Sequence, residues 1–170
     1  MIKVILVEDE IHIRRGLSLF TPWQQYGCVL IGEACNAFEG EEMVEKLQPD
    51  IVIVDICMPG RTGLEMIENL QGKGKTEYII LSGHNDFEYA RRAISLGVTG
   101  YLLKPTDDVE FENVLKLTIQ KVEKQRRMET FERIQQIGFS HTIIADETVD
   151  FRRENQIRFR DIFIDRKSVV

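Results

Sequence analysis

Five side chains of the sequence have types that suit chemistry on a phosphoryl group: Glu8, Asp9, Asp55, Ser82 and Lys104. Asp55 closes the run Ile51-Val52-Ile53-Val54-Asp55, four β-branched residues leading into a carboxylate, with Pro49-Asp50 before it and Pro59-Gly60 after it. A short apolar run bounded by turn residues reads as a strand buried on both faces. Open α/β sheets collect ligands outside the carboxyl ends of such strands, which is where Asp55 falls. Glu8 and Asp9 follow the apolar run Val4-Ile5-Leu6-Val7, Ser82 follows Tyr78-Ile79-Ile80-Leu81, and Lys104 follows Tyr101-Leu102-Leu103. A parallel sheet carries all of them to one edge. Three carboxylates there repel one another unless a cation sits among them. Hard oxygen ligands with water positions to spare suit Mg²⁺. One chemical reading covers the set. Asp55 is a carboxylate nucleophile that forms an aspartyl phosphate. Mg²⁺ held by Glu8, Asp9 and Asp55 neutralises the phosphoryl oxygens. Lys104 pairs with another oxygen, and Ser82 donates to the third. Each piece alone has a plainer reading. Lys104 before Pro105 is then a turn residue, Glu8-Asp9-Glu10 matches a helix dipole, and Ser82-Gly83 is loop chemistry. Their joint position at strand ends favours the chemical one.

The elements that must position these residues follow from periodicity. Between the strands lie helical patterns at Ile11 to Phe20, Phe38 to Leu47, Gly63 to Leu70 and Asp86 to Leu96, with Val29-Leu30-Ile31 as a further strand. In the first helix Ile13, Leu17 and Phe20 form the inner stripe, Arg14 and Arg15 face away, and Thr21-Pro22 stops it. In the second, Met43, Val44 and Leu47 face inward; in the third, Leu64, Ile67 and Leu70. Asp86 is expected to cap the fourth and Gly97 to close it. A fifth helix starts near Asp107 or Asp108, with Phe111, Val114, Leu115, Leu117, Thr118, Ile119 and Val122 inward. Strand and helix alternate five times, which gives a parallel sheet covered on both faces. The expected fold class is α/β, a flavodoxin-like (βα)5 doubly wound parallel sheet of order 2-1-3-4-5, with an extended C-terminal helix and tail.

The chain of 170 residues, net charge -6 and 43% hydrophobic composition has the make-up of an ordinary globular protein. Its acidic balance argues against gripping a nucleic-acid backbone by itself. No apolar stretch has the length of a membrane span. Met1-Ile2-Lys3-Val4 enters a strand at once, so no leader peptide is expected and a cytoplasmic location follows. Cys28, Cys35 and Cys57 form no C-x-x-C pair and are expected as reduced core thiols.

The motifs Val7-Glu8-Asp9-Glu10, Asp55-Ile56-Cys57-Met58-Pro59-Gly60, Leu81-Ser82-Gly83 and Tyr101-Leu102-Leu103-Lys104-Pro105 make residues 1 to about 124 resemble the receiver domain of two-component response regulators. That resemblance implies that Asp55 accepts phosphate from a sensor histidine kinase. It implies Mg²⁺ bound by Glu8, Asp9, Asp55 and the main-chain carbonyl of Cys57, a switch pair Ser82 and Tyr101, Lys104 as phosphate contact, and a cis Lys104-Pro105 bond. Glu8 departs from the commoner Asp; its longer arm still reaches a metal. The thiol of Cys57 is expected in packing. Leu81 to Ala90, Gly97 to Tyr101 and Thr21-Pro22-Trp23 look like receivers that carry an AraC-type helix-turn-helix pair. Such a relative is a transcription regulator that touches DNA through a domain not in this chain.

The fifth helix outlasts the receiver pattern. Met128, Phe131, Ile134 and Ile137 recur at spacings of three, and Gly138 is expected to end a helix of about thirty residues. Residues 125-170 are therefore set apart as a linker or dimerisation extension and an irregular tail, with His141-Thr142-Ile143-Ile144-Ala145 as a possible strand. Phe159, Ile162, Phe163 and Ile164 are left to dock or to form another helix. A homodimer through the fourth helix, fifth strand, fifth helix and its extension is expected. Three rival readings remain. A stand-alone receiver would act by protein contact. A Mg²⁺-dependent aspartyl-phosphate phosphohydrolase would want an acid two residues after its nucleophile, where Cys57 stands. A flavin-binding domain lacks its phosphate loop, because Glu8-Asp9-Glu10 would repel the flavin phosphate. The leading reading is a signalling module, not a turnover enzyme.

Overall fold

The chain's structure, a computed structural model, describes residues 1–83 and 87–144, with the backbone alone from residue 138. It divides into two units, residues 1–126 and 127–170. The first is a five-stranded parallel sheet of order β2-β1-β3-β4-β5, as the alternating pattern predicts. The strands are β1 (Ile2–Val7), β2 (Cys28–Ala34), β3 (Ile51–Asp55), β4 (Glu77–Ser82) and β5 (Gly100–Leu103). The helices are α1 (Ile11–Phe20), α2 (Ala37–Leu47), α3 (Gly63–Leu70), α4 (Phe87–Ser95) and α5 (Asp108–Ile144). A 3-10 turn, Trp23–Tyr26, precedes β2. No pattern in the sequence announces that turn.

Alternation along the central strands splits the core in two. Ile5, Val7, Val52, Val54 and Ile80 face one way, onto Val44 of α2, Leu64 and Ile67 of α3 and Ala93 of α4. Val4, Leu6, Ile53, Ile79, Leu81 and Leu102 face the other way, onto Leu17 of α1, Trp23, and Phe111, Leu115 and Val122 of α5. All five residues of β3 are buried, which is why its sequence is a continuous apolar run rather than an alternating one. Local chemistry fixes the ends of the helices. Asn36 accepts from the Glu39 N–H at the start of α2, and Thr62 and Glu65 form a reciprocal capping box on α3. Gly97 takes φ 73° just after α4.

Several inner-face expectations change. Phe20 is 85% exposed, and Leu47 and Leu117 also face solvent; Ala37 and Gly40 take the buried positions of α2. Gly40 sits so close to Val7 and Met66 that a side chain there would collide with both. Cys28 is a core thiol, but Cys35 and Cys57 are exposed. On α4, Phe87 is exposed, whereas Tyr89 packs against the core. Gly138 does not end α5, and residues 141–144 are helix rather than strand. A glycine inside a helix costs only about 1 kcal/mol against alanine, too little to force a stop. In the second unit Met128, Phe131, Ile134 and Ile137 are each more than half exposed. The expected Asp86 cap and the readings for residues 145–170 lie outside the described residues.

Gly63 shows how tightly the fold holds the segment after β3. Its N–H donates to the Ile56 carbonyl, and a Cβ on it would lie 2.1 Å from the Asp55 carbonyl oxygen. Only backbone movement relieves such a clash. Gly63→Ala is expected to destabilise the protein by about 3 kcal/mol, lowering Tm by roughly 10 °C in thermal unfolding. A Tm within a degree of the parent would show that the turn yields freely.

Candidate functional site

Register brings the candidate residues together. Val7 pairs with Val54, so the next residues, Glu8 and Asp55, leave the sheet side by side. Asp55 pairs with Leu81, which places Ser82 beyond it, and Ser82 pairs with Leu103, which places Lys104 beyond that. The Lys104 N–H donates to the Ser82 carbonyl at 2.7 Å, holding the last step of the series. Lys104-Pro105 is cis, as the motif implies.

Glu8, Asp9 and Asp55 offer carboxylate oxygens that all lie within 4.8 Å of one another. Glu8 is fully buried and Asp55 is 3% exposed. The Lys104 ammonium stands among them. It donates to Glu8 Oε1 at 2.9 Å and lies 2.7 Å from Glu8 Oε2, 3.0 Å from Asp55 Oδ2 and 3.7 Å from Glu10 Oε1. Glu8 Oε1 also accepts the Glu10 N–H, and Asp55 Oδ1 accepts the Cys57 N–H at 3.4 Å.

Burial pushes the Asp55 carboxyl up from its ordinary range; Lys104 pulls against the shift and the Asp9 charge adds to it. The Glu8 carboxyl is pushed up by burial first, with Lys104 opposing and Asp55 adding. For Lys104, burial works against the charged form, but its hydrogen bonds to Glu8 and Asp55 win, and its pKa is raised. The pocket therefore holds more negative charge than one ammonium settles comfortably.

The same pocket tests the fit of a divalent cation. Asp9 Oδ1 is buried without a hydrogen-bond partner among the described residues, and Glu8 Oε2, also buried, meets only the Lys104 ammonium there. Three carboxylates that offer hard oxygens within 4.8 Å of one another, one of those groups with a partnerless oxygen among the described residues, are the donor set that Mg²⁺ takes, with water filling its other positions. These residues fit the ion.

Ser82 is fully buried at this edge. The ring of Tyr101 packs against the α2–α3–α4 core, and its hydroxyl is buried without a hydrogen-bond partner among the described residues. A buried hydroxyl without a partner is costly and gains from any rearrangement that wets it. The exposed Cys57 thiol has no place in the core, contrary to expectation.

One residue at the site escaped the sequence reading. Arg14 does not face away from the fold; its Nη1 donates to the Glu8 carbonyl at 2.5 Å. Six residues of separation across a strand-to-helix turn leave no periodic signal. The basic residue one turn into a helix that follows an acidic cluster was the only hint available.

Residues 4–116 match the response regulator receiver domain family. The chain is 38% identical over 126 residues to YesN of Bacillus subtilis, an uncharacterised transcriptional regulatory protein, covering 74% of this chain and 34% of YesN. It is 34% identical over 126 residues to the transcriptional regulatory protein HptR of Staphylococcus aureus, covering 74% of this chain and 50% of HptR. The chain thus spans about a third to a half of these relatives. Among solved structures, the REC domain of the response regulator AraT from Geobacillus stearothermophilus superposes with a TM-score of 0.69 at 31% identity, covering 74% of this chain and 98% of that one.

The raised carboxyl pKa values carry a sign. A carboxyl that holds its proton more tightly folded than unfolded takes stability away as pH rises through the window between its ordinary and raised values. Asp55→Asn removes that burden permanently. In the metal-free protein it is expected to gain on the order of 1 kcal/mol at pH 7 in urea unfolding, with the gain shrinking toward pH 5 as protons do the same to the parent. A variant less stable than the parent at pH 7 would mean that the Asp55–Lys104 pair outweighs the repulsion.

Proposed function

The chain belongs to the response regulator receiver domain family, and from that premise we propose that Asp55 is its phosphoacceptor. The observation that carries the reading is Asp55 itself: buried at a strand end, 3.0 Å from the Lys104 ammonium, with Glu8 and Asp9 beside it. The donor is a phosphohistidine of a sensor histidine kinase. An Asp55 carboxylate oxygen attacks phosphorus, the P–O bond forms as the P–N bond breaks, and the electron pair leaves on the imidazole nitrogen. Mg²⁺, when held by Glu8, Asp9, Asp55 and the Cys57 carbonyl, supplies positive charge to the phosphoryl oxygens. Lys104 follows the new charge from Asp55 onto a phosphoryl oxygen, and the Ser82 hydroxyl donates to another.

The new group brings close to two negative charges. Ser82 moving toward it leaves space that the Tyr101 ring takes by turning inward. The face of α4, β5 and α5 then changes. Phe87 and Ile94 on α4, Leu103 on β5 and Leu117 on α5 are exposed apolar residues suited to pairing with a second copy. Met128, Phe131, Ile134 and Ile137 extend that pairing along the helix. We assign residues 1–124 as receiver and 125–170 as linker and tail, with an output in transcription through a DNA-binding part outside this chain and a cytoplasmic location. No described helix is long and apolar enough to cross a membrane. Turnover as a phosphohydrolase is disfavoured by Cys57, which offers no general acid two residues after Asp55.

Intact mass after incubation with a small phosphodonor and Mg²⁺ tests the proposal. The parent is expected to gain one phosphoryl group, Asp55→Ala none, and Lys104→Ala to react roughly 10²-fold more slowly. An equal adduct on Asp55→Ala would move the acceptor elsewhere. On a sizing column the phosphorylated parent is expected to run as a dimer and phosphorylated Phe87→Asp as a monomer; a monomeric parent would remove the dimer from the account.

A further inference from the structure

We propose that Arg14 is a positioning residue that holds the β1–α1 turn so that the Glu8 and Asp9 carboxylates converge on the cation position. The inference deepens the reading above and rests on it where Mg²⁺ is concerned. Arg14 lies on the first turns of α1, and its side chain is only 16% exposed. Nη1 donates to the Glu8 carbonyl at 2.5 Å and reaches the Asp9 carbonyl at 3.4 Å. Nε lies 3.8 Å from Glu33 Oε2, and Glu33 Oε1 accepts from the Ser18 hydroxyl at 2.7 Å. The guanidinium is thus held from behind by β2 and α1 while it grips two successive carbonyls of the acidic turn.

The chemistry of that arrangement is specific. Two anionic residues adjacent in sequence, with a third beside them, push their own turn apart. The turn's other described backbone ties are the Glu8 N–H to Ala34, the Glu10 N–H to the Glu8 side chain, and the Arg14 N–H to the Glu10 carbonyl. One guanidinium nitrogen, Nη1, shared between the Glu8 carbonyl and, at longer range, the Asp9 carbonyl opposes the repulsion without occupying a Glu8 or Asp9 carboxylate oxygen. The acids stay available to a cation, and the backbone that aims them is fixed. Outer contacts of this kind orient metal ligands and change affinity when removed.

A positioning role and a mere charge role differ in sign. A fixed positive charge near a cation site weakens cation binding, so deleting it should tighten Mg²⁺ binding if charge were all that Arg14 supplied. Deleting a positioning group should loosen it. The parent, Arg14→Ala and Arg14→Lys are compared by hydrogen exchange without metal and by calorimetric titration with Mg²⁺. For Arg14→Ala, the segment 7–13 is expected to exchange about tenfold faster, the loss of a charge-assisted hydrogen bond. Its Mg²⁺ dissociation constant is expected to rise about tenfold. Arg14→Lys, which keeps the charge but loses the Nε contact with Glu33 that braces the group from behind, is expected to show about a third of each effect. Unchanged exchange in Arg14→Ala, or Mg²⁺ binding as tight as the parent's or tighter, overturns the proposal. If circular dichroism shows Arg14→Ala unfolded, Arg14→Lys decides by the same two criteria. A parent that binds no Mg²⁺ refutes the cation reading of the pocket, and the exchange arm alone then judges Arg14.

Discussion

One ammonium among carboxylates governs this molecule. Lys104 lies within 3.0 Å of both Glu8 and Asp55, in a pocket where Glu8 is fully buried. Removing two acids from water costs far more than one cation returns unless the geometry is good. The residues are therefore placed where they are tolerated, not where they are comfortable. Raised carboxyl pKa values at Glu8 and Asp55, and an Asp9 oxygen without a hydrogen-bond partner among the described residues, record what is still unsettled. A site in that state gains from a divalent cation. On the proposed function, that shortfall in satisfaction lets one small covalent change redistribute contacts.

The sheet exists, in this view, to deliver those groups at fixed spacing. Parallel register from β1 through β3 and β4 to β5 sets Glu8, Asp55, Ser82 and Lys104 on one edge, each one step beyond a buried pair. Apolar packing on both faces of β3 fixes that register, since a slip of one residue would exchange its two faces. The close approach of Gly63 to the Asp55 carbonyl, and the hold of Arg14 on the Glu8 carbonyl, tie the flanking turns to the same frame.

The strands and the residues at their ends were legible in the sequence because fully buried parallel strands are written as unbroken apolar runs, which nothing else of that length between turn residues resembles. Helix existence was legible too, from spacing. Which helical residues face inward was less so. Phe20 satisfies the period yet lies outside, because the end of a helix leaves the stripe nothing to pack against, and Leu117 is apolar but falls off the face of Phe111, Leu115, Thr118 and Val122. Small residues that touch the core, Ala37 and Gly40, do not register as apolar stripe at all. Arg14 was illegible for a different reason: its partners are main-chain carbonyls, which every residue has. Gly138 misled because glycine's preference for ending helices is a weak energy, overridden wherever the flanking residues favour helix.

The central claim is that the acidic pocket with Lys104 takes a cation and a phosphoryl group together on Asp55. Fluorine NMR with beryllium trifluoride, which stands in for the phosphoryl group on a carboxylate, tests it most directly. Slowly exchanging bound fluorine signals that need Mg²⁺ and vanish in Asp55→Ala are expected. Bound signals that persist without Mg²⁺ or without Asp55, or none in the parent at saturating Mg²⁺, would contradict it.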